Sequence, residues 1–360
     1  MKQYIVIFMF SALILCCKTN EPSSLYVGTY TNDSSEGIYK LSFNDETGEI
    51  GNLTLVAKAS NPSFLTFDSA KKYIYAVHEN NDFNGENSGA VSAYKVEESG
   101  LLTLLNTVSS KGAHPCHVAI DSDGKNIAVS NYSGGTVALY QTLENGELTD
   151  ALQVINHNTD SIVSHTHSAQ FVDNALIVAD LGKNAVFEYI KNDASYSLKS
   201  SSIVDINEKS GPRHFVLDSS KKFIYIIHEY ANSITSAKKN GDTFELLNHT
   251  STLADSFKGE SYCADIHISN DQKYVYGSNR GENSIVVFKR DLATGILEKI
   301  QNISTEGDWP RNFTLSPNGK HLLVANQRSN NISVFKIDAI SGKLSYLHGF
   351  ELSAPVCLVF

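Results

Sequence analysis

The chain has 360 residues, 41% of them hydrophobic and 19% charged, with a formal net charge of −10 at pH 7. That balance excludes a disordered chain, which has too little apolar surface to bury. It also argues against a nucleic-acid partner, because phosphate backbones select basic surfaces. A small anionic substrate stays open, since it needs no more than a local basic cluster.

In chain order, Met1 and Lys2 precede an apolar run, Tyr4 to Leu15, that is too short to span a bilayer and ends at Cys16-Cys17. A basic start and a short apolar stretch predict a signal peptide over residues 1–17. The residues leading to Cys16 or Cys17 resemble a bacterial lipoprotein cleavage box. The expected product is exported to the periplasm or cell envelope and lipid-anchored, with 18–24 as a polar tether; a plain secretory signal or a short membrane anchor is the alternative. The remaining cysteines, Cys116, Cys263 and Cys357, are an odd and scattered set. They fit neither a disulfide framework nor a zinc spacing, and read as buried free thiols.

Leu25–Gly28 and Gly37–Phe43 read as two strands. A segment opened by proline or a substitute then recurs, beginning at Asn61, His114, His165, Gly211, Tyr262, Trp309 and Ala354, with spacings of 45 to 53 residues. Each is an apolar strand. Most are followed by a turn of Asp, Ser, Asn, Gly and Lys, as in Asp121–Lys125 and Asp218–Lys222, residues that tolerate left-handed dihedrals or cap their own backbone. A second strand follows (Tyr73–Val77, Phe223–Ile227), then a third (Gly135–Tyr140, Ser284–Phe288), then a fourth after a turn such as Asn145-Gly146 or Thr294-Gly295. Four short antiparallel strands per repeat mark a propeller blade. The chain stops after one first-type strand, Pro355–Phe360, and starts on a second-type strand, so the two ends should pair to complete the last blade and remove its exposed edges. The prediction is an all-β, seven-bladed β-propeller over 25–360, undivided and monomeric.

Second strands end on a polar residue, aligned as Thr29, Glu79, Asn131, Asp180, Glu229, Asn279 and Asn326, with Tyr30, Asn80, Tyr132, Leu181, Tyr230, Arg280 and Gln327 next. First strands begin with His117, Ser168, His214, Asp265 and Asn312, preceded by Cys116, His167, Arg213, Ala264 and Arg311. Inner strands of a propeller surround its axis, so both sets converge on one mouth of the channel, and converging charge marks a functional cleft. The competing role for these residues, above all the Asn and Thr members, is to satisfy backbone groups between blades. Arg213, Arg280 and Arg311 differ: three guanidiniums at one mouth repel unless acids or an anionic ligand balance them. His165 and His167 share a strand face, and His114, His117 and His214 begin neighbouring strands. Acid–base use is the favoured reading over zinc, because the acids that would complete a metal set are spread over several blades. The sequence holds no nucleophile elbow, phosphate loop or dinucleotide fingerprint, and no cofactor is expected.

Taken together, His114-Pro115-Cys116-His117, His167-Ser168-Ala169, Gly211-Pro212-Arg213-His214, Glu229, Ala264–Ile268, Ser278–Gly281, Pro310-Arg311 and Ala325–Gln327 resemble the seven-bladed lactonase family. That family includes propeller-type 6-phosphogluconolactonases and a fungal carboxymuconate cyclase, and the resemblance runs from about Leu25 to Phe360. It implies a catalytic set of His167, Arg213, Glu229 and Arg280. Around it stand His117, His165, Asp180, His214, Asp265, Arg311, Asn131 and Tyr132 as expected substrate-binding or supporting residues, with no metal. The chemistry suits these residue types. Opening a sugar lactone needs a base for water, here Glu229 or His167, and a cationic sink for the oxyanion, here Arg213 and Arg280. Two alternatives are an exported propeller that binds a sugar or other ligand without turnover, and a muconate-type lactonising cyclase. The leader is the departure, since the family's best-known lactone substrate is cytosolic.

Overall fold

The computed structural model describes residues 22–193 and 195–360; the expected signal peptide, and the tether up to Glu21, lie outside them. Among the described residues all regular structure is β: 28 strands, β1 to β28 in chain order, form seven four-stranded antiparallel sheets. Six sheets use consecutive strands. The seventh joins β28 (Pro355–Val359) to β1 (Ser23–Thr29), β2 (Gly37–Phe43) and β3 (Ile50–Lys58), which is the expected closure by the chain ends. The first strand starts at Ser23, so two residues of the expected tether belong to the sheet.

The inner strands are β4 (Leu65–Phe67), β8 (Pro115–Ile120), β12 (Thr166–Val172), β16 (Pro212–Leu217), β20 (Tyr262–Ile268), β24 (Pro310–Leu315) and β28. Second strands are buried on both faces, as in Phe223–His228, and read as continuous apolar runs because a sheet packs on each side. The core fills the gaps between neighbouring sheets. Tyr225, Ile227 and Ile234 pack on Cys263, Ile266, Val275 and Val286 of the next blade. Leu25 and Leu41 meet Leu323 and Ile332 on one side of the closing blade, while Tyr26 and Ile38 meet Leu65 and Ile74 on the other. Each such side chain contributes about 1.5–3 kcal/mol by leaving water.

A repeated tie fixes blade to blade. The phenol of Tyr75 donates to the Gly146 carbonyl (3.1 Å), Tyr225 to Gly295 (2.9 Å) and Tyr276 to Gly342 (3.0 Å), each glycine lying in the outer turn of the following blade. Those glycines have φ between 68° and 88°, and a Cβ would sit 2.2–2.4 Å from the ring of Tyr73, Phe223 or Tyr274. A side chain is therefore excluded there by both backbone and space.

Candidate active site at the mouth of the channel

Every inner strand except β4 carries an irregularity in its pairing near its start. Pairing slips by one residue between Pro115 and His117, Thr166 and Ser168, Pro212 and His214, and Pro310 and Asn312. The bulge leaves Cys116, His167, Arg213 and Arg311 outside the ladder, and bulges of this kind re-aim a side chain. His167, Arg213 and Arg311 are thus placed by one local device used repeatedly.

The second strands correct the sequence alignment. Asn131 pairs with Thr136, Asp180 with Ala185, Asn279 with Ser284 and Asn326 with Asn331; the residues in the same register are His78 and His228, not Glu79 and Glu229. His78 and His228 bond a hydroxyl of the third strand, Ser92 Oγ at 2.7 Å and Thr235 Oγ1 at 2.6 Å, as Asn131 bonds Thr136 and Asn279 bonds Ser284. Glu79 and Glu229 fall one residue later, in the ring of Tyr30, Tyr132, Leu181, Arg280 and Gln327. A one-residue slip reverses the face of a strand, and here it turns both glutamates toward the arginines.

Glu229 Oε2 takes Arg213 Nε at 2.9 Å and Arg280 Nη2 at 2.8 Å. Both guanidiniums are buried, 1% and 5% exposed, and are further held by backbone carbonyls: Ala264 for Arg213, Cys263 for Arg280. Burial raises the Glu229 carboxyl, but Arg280 and Arg213 outweigh it and hold the group below its ordinary value. Burial also brings Arg280 down to about 10. Arg311 reaches Glu79 Oε2 at 3.3 Å, and Tyr30 donates its phenol to the same oxygen at 2.8 Å, with Arg311 over the Tyr30 ring. The mouth therefore holds two acid-centred clusters.

His167 is buried, and its Nδ1 has no hydrogen-bond partner. Burial first, then Arg213 and His214, push its imidazole well below the ordinary value, so it is neutral at pH 7. Tyr132 stands between the two predicted histidines, stacked on His165 (centroids 4.5 Å apart) and edge-on to His167 (5.7 Å). One layer deeper, His214 gives Nδ1 to Asp265 Oδ1 at 2.8 Å, and its Nε2 faces Arg213 Nη1 at 3.4 Å. Asp265 also takes His267 at 3.1 Å and Asn312 at 2.6 Å; burial raises its carboxyl, yet His267 and His214 hold it well below the carboxylate range. His117 packs on His214 (5.7 Å) and Phe64 (4.3 Å). With Gln170, Thr314 and Phe360, His117, His214, Asp265 and His267 of this layer line a cavity of about 580 Å³ that Arg213, Glu229 and Arg280 do not line.

Two expected site residues are in neither the mouth nor the layer beneath it. Asp180 has no exposed surface and bonds His157, Ser164 and the amides of His165 and Lys183, so it braces the loop that leads into β12. Asn131 is equally enclosed, bonded to the Ser110 carbonyl and Thr136. These positions follow the structural role that strand-end polar groups share. Conversely, the fold brings in Tyr30, Glu79 and Trp309. Trp309 takes Arg280 over its ring at 5.2 Å, and nothing in the sequence pairs it with a residue of the preceding blade. Among the described residues no group of three or more His, Cys, Asp or Glu is placed to hold a metal.

Comparison with known proteins agrees with this architecture. A family model described as "Lactonase, 7-bladed beta-propeller" matches residues 24–360. A 6-phosphogluconolactonase of Formosa agariphila is 35% identical over 90% of this chain and 95% of its own length. One of Bacillus subtilis is 30% identical over 93% and 97%. Among solved structures, a periplasmic gluconolactonase of Pseudomonas aeruginosa superposes with a TM-score of 0.84 at 30% identity, covering 93% of this chain and 98% of that one. The chain belongs to the seven-bladed β-propeller lactonase family.

Proposed function

We propose that the chain hydrolyses the lactone of a sugar acid, of the 6-phosphogluconolactone kind, at the Arg213–Glu229–Arg280 mouth. As a lactonase-family member it is a carboxylic ester hydrolase; the substrate and the residue roles are the added reading. The observation that carries it is one carboxylate bridging two buried guanidiniums beside a neutral, unpartnered imidazole. Glu229, already neutralised by two cations, is a weak base. It serves as the anchor that keeps Arg213 and Arg280 in place where the carbonyl oxygen becomes an oxyanion, and such preorganised charge is commonly the largest catalytic contribution. Neither ring nitrogen of His167 has a hydrogen-bond partner among the described residues, and Nε2, the one not enclosed by protein, is the acceptor. It takes a proton from water as the water attacks the acyl carbon, then returns that proton to the ring oxygen as the acyl–oxygen bond breaks. Asp265 holds the His214 Nδ1 proton, leaving Nε2 as an acceptor toward Arg213.

This reading uses no metal. A panel of glucono-, 6-phosphoglucono- and muconolactones, run with and without chelator, tests it. Hydrolysis of the sugar lactones in both conditions is expected. Measurable sugar binding without turnover of any lactone overturns it in favour of a binding propeller, and preference for the muconolactone favours the cyclase. Export belongs to the same proposal. It is supported by the leader and by the periplasmic description of the Pseudomonas neighbour. Anchoring through Cys16 or Cys17 is tested by fatty-acid labelling, which should vanish in Cys16→Ala/Cys17→Ala, and the monomeric state by sedimentation.

A further inference from the structure

Every buried guanidinium of the mouth has a carboxylate partner: Arg213 and Arg280 share Glu229, and Arg311 is tied to Glu79. Three cations against two anions leave one positive charge. That suits a developing oxyanion or a product carboxylate. It does not also balance a phosphate ester, which carries about −1.5 to −2 near neutral pH. A phosphate on the substrate has to be met from the rim.

On the rim, Arg328 is exposed and makes no ion pair among the described residues. Its guanidinium carbon lies 3.3 Å from the centroid of the Trp309 ring, the same ring that carries Arg280 of the clamp at 5.2 Å. One indole therefore joins the clamp to a free cation. The platform is built in advance. The Trp309 amide donates to Asn283 Oδ1 (3.0 Å), its carbonyl accepts from Gln327 N (3.1 Å), and the Arg328 amide bonds the Asp308 carbonyl (3.1 Å). Trp309 is held at a φ of 65°, a left-handed conformation that costs a bulky residue energy and persists where its surroundings enforce it. Of the other cations of this face, Lys111 is engaged by Glu86 and Lys183 by Thr159, while Lys209 is exposed and stacks on no aromatic ring among the described residues.

We infer that Arg328, stacked on Trp309, is the residue that reads a phosphate ester on the substrate while Arg213 and Arg280 hold the lactone carbonyl. This rests on the lactonase reading. A planar guanidinium forms paired hydrogen bonds to phosphate oxygens, and stacking on an indole limits the entropy lost when it does so.

The test compares kcat/KM for 6-phosphogluconolactone and unphosphorylated gluconolactone in the full chain, in Arg328→Gln, in Arg328→Lys and in Lys209→Gln, a control on the same face. The wild type should prefer the phosphorylated lactone. The ratio should fall about tenfold or more in Arg328→Gln, recover in part in Arg328→Lys, and stay at the wild-type value in Lys209→Gln. Inorganic phosphate should compete with the plain lactone less well in Arg328→Gln. Equal use of both lactones by the wild type, or an unchanged ratio in Arg328→Gln, overturns the inference and leaves the lactonase reading standing. Failure of the wild type on both lactones removes that reading itself.

Discussion

Replacing Glu229 by glutamine removes one charge and almost no volume, so its consequences follow from the two guanidiniums it bridges. Arg213 Nε and Arg280 Nη2 lie 2.9 and 2.8 Å from one carboxylate oxygen, and both side chains are buried. Removing one partner of a buried pair costs about 3–5 kcal/mol. The amide keeps an acceptor, which places Glu229→Gln near the lower end. With an unfolding entropy of about 2.1 cal/mol/K per residue, a loss of about 3 kcal/mol over a ring of this length lowers Tm by about 4 °C. Activity should fall further than stability. Two cations that repel each other no longer converge on the oxyanion, and loss of one such donor typically costs about 10²–10³ in kcat. The assay is a kcat–pH profile of folded protein, well below Tm. If Glu229 anchors the clamp and His167 is the base, the residual activity keeps an acid limb no higher in pH than the wild type's, because losing a negative charge cannot favour an imidazolium. Wild-type kcat with an unchanged Tm would refute the reasoning, and disappearance of the acid limb would return the base to Glu229.

The remaining predictions test other parts of the molecule. His167→Gln should cut kcat by about 10²–10⁴, and the wild-type acid limb should lie well below pH 6.5, since burial, Arg213 and His214 disfavour the imidazolium; a limb at or above 6.5 contradicts the assignment. Stability should fall as pH drops from about 6.5 toward 4. His78 and His214 are lowered to about 4 and His228 to about 3, chiefly by burial, and His117 and His167 lie well below their ordinary value. These groups bind protons when unfolded but not when folded, so unfolding takes up protons throughout that window. His267, raised because Asp265 outweighs burial, acts in the opposite sense. A Tm that is flat from pH 6.5 to 4.5 would contradict this. Arg290→Met, at the face away from the mouth, breaks the bonds to Asp218 (3.0 Å) and Tyr225 (2.7 Å) and should cost about 3–5 kcal/mol. Its kcat/KM below Tm should match the wild type; a loss there would mean that the far face controls the site.

Much of the fold can be read along the chain, because a blade is a local object. Its hairpins are written in turns such as Asp218–Lys222 and Thr294-Gly295, and the closing blade follows from where the pattern starts and stops. Arg213, Arg311 and His167 can likewise be placed at one mouth, since they open strands of the same type. Glu79 and Glu229 are harder to place. The runs Tyr73–Val77 and Phe223–Ile227 are apolar at every position, so they carry no alternation by which to count faces. An alignment on polar character set the glutamates beside Asn131 and Asp180, whereas the register sets His78 and His228 there. Asn131 and Asp180 were expected near the substrate for the same reason and instead serve the hairpin and loop beside them.

The sequence by itself determined the repeat, the number of blades, the closure of the ring and the residue types gathered at its mouth, because these depend on hydrophobic pattern and turn chemistry within about fifty residues. Tertiary structure alone decided the partners. Arg311 meets Glu79 across 232 positions of sequence because the ring brings distant blades around one axis. Trp309 meets Arg280 because adjacent blades abut at their upper loops. Bulges that leave Arg213 and His167 outside the ladder have no signature in composition or spacing. Charge pairing depends on distance and direction in space, and the chain encodes those only once all seven blades have closed.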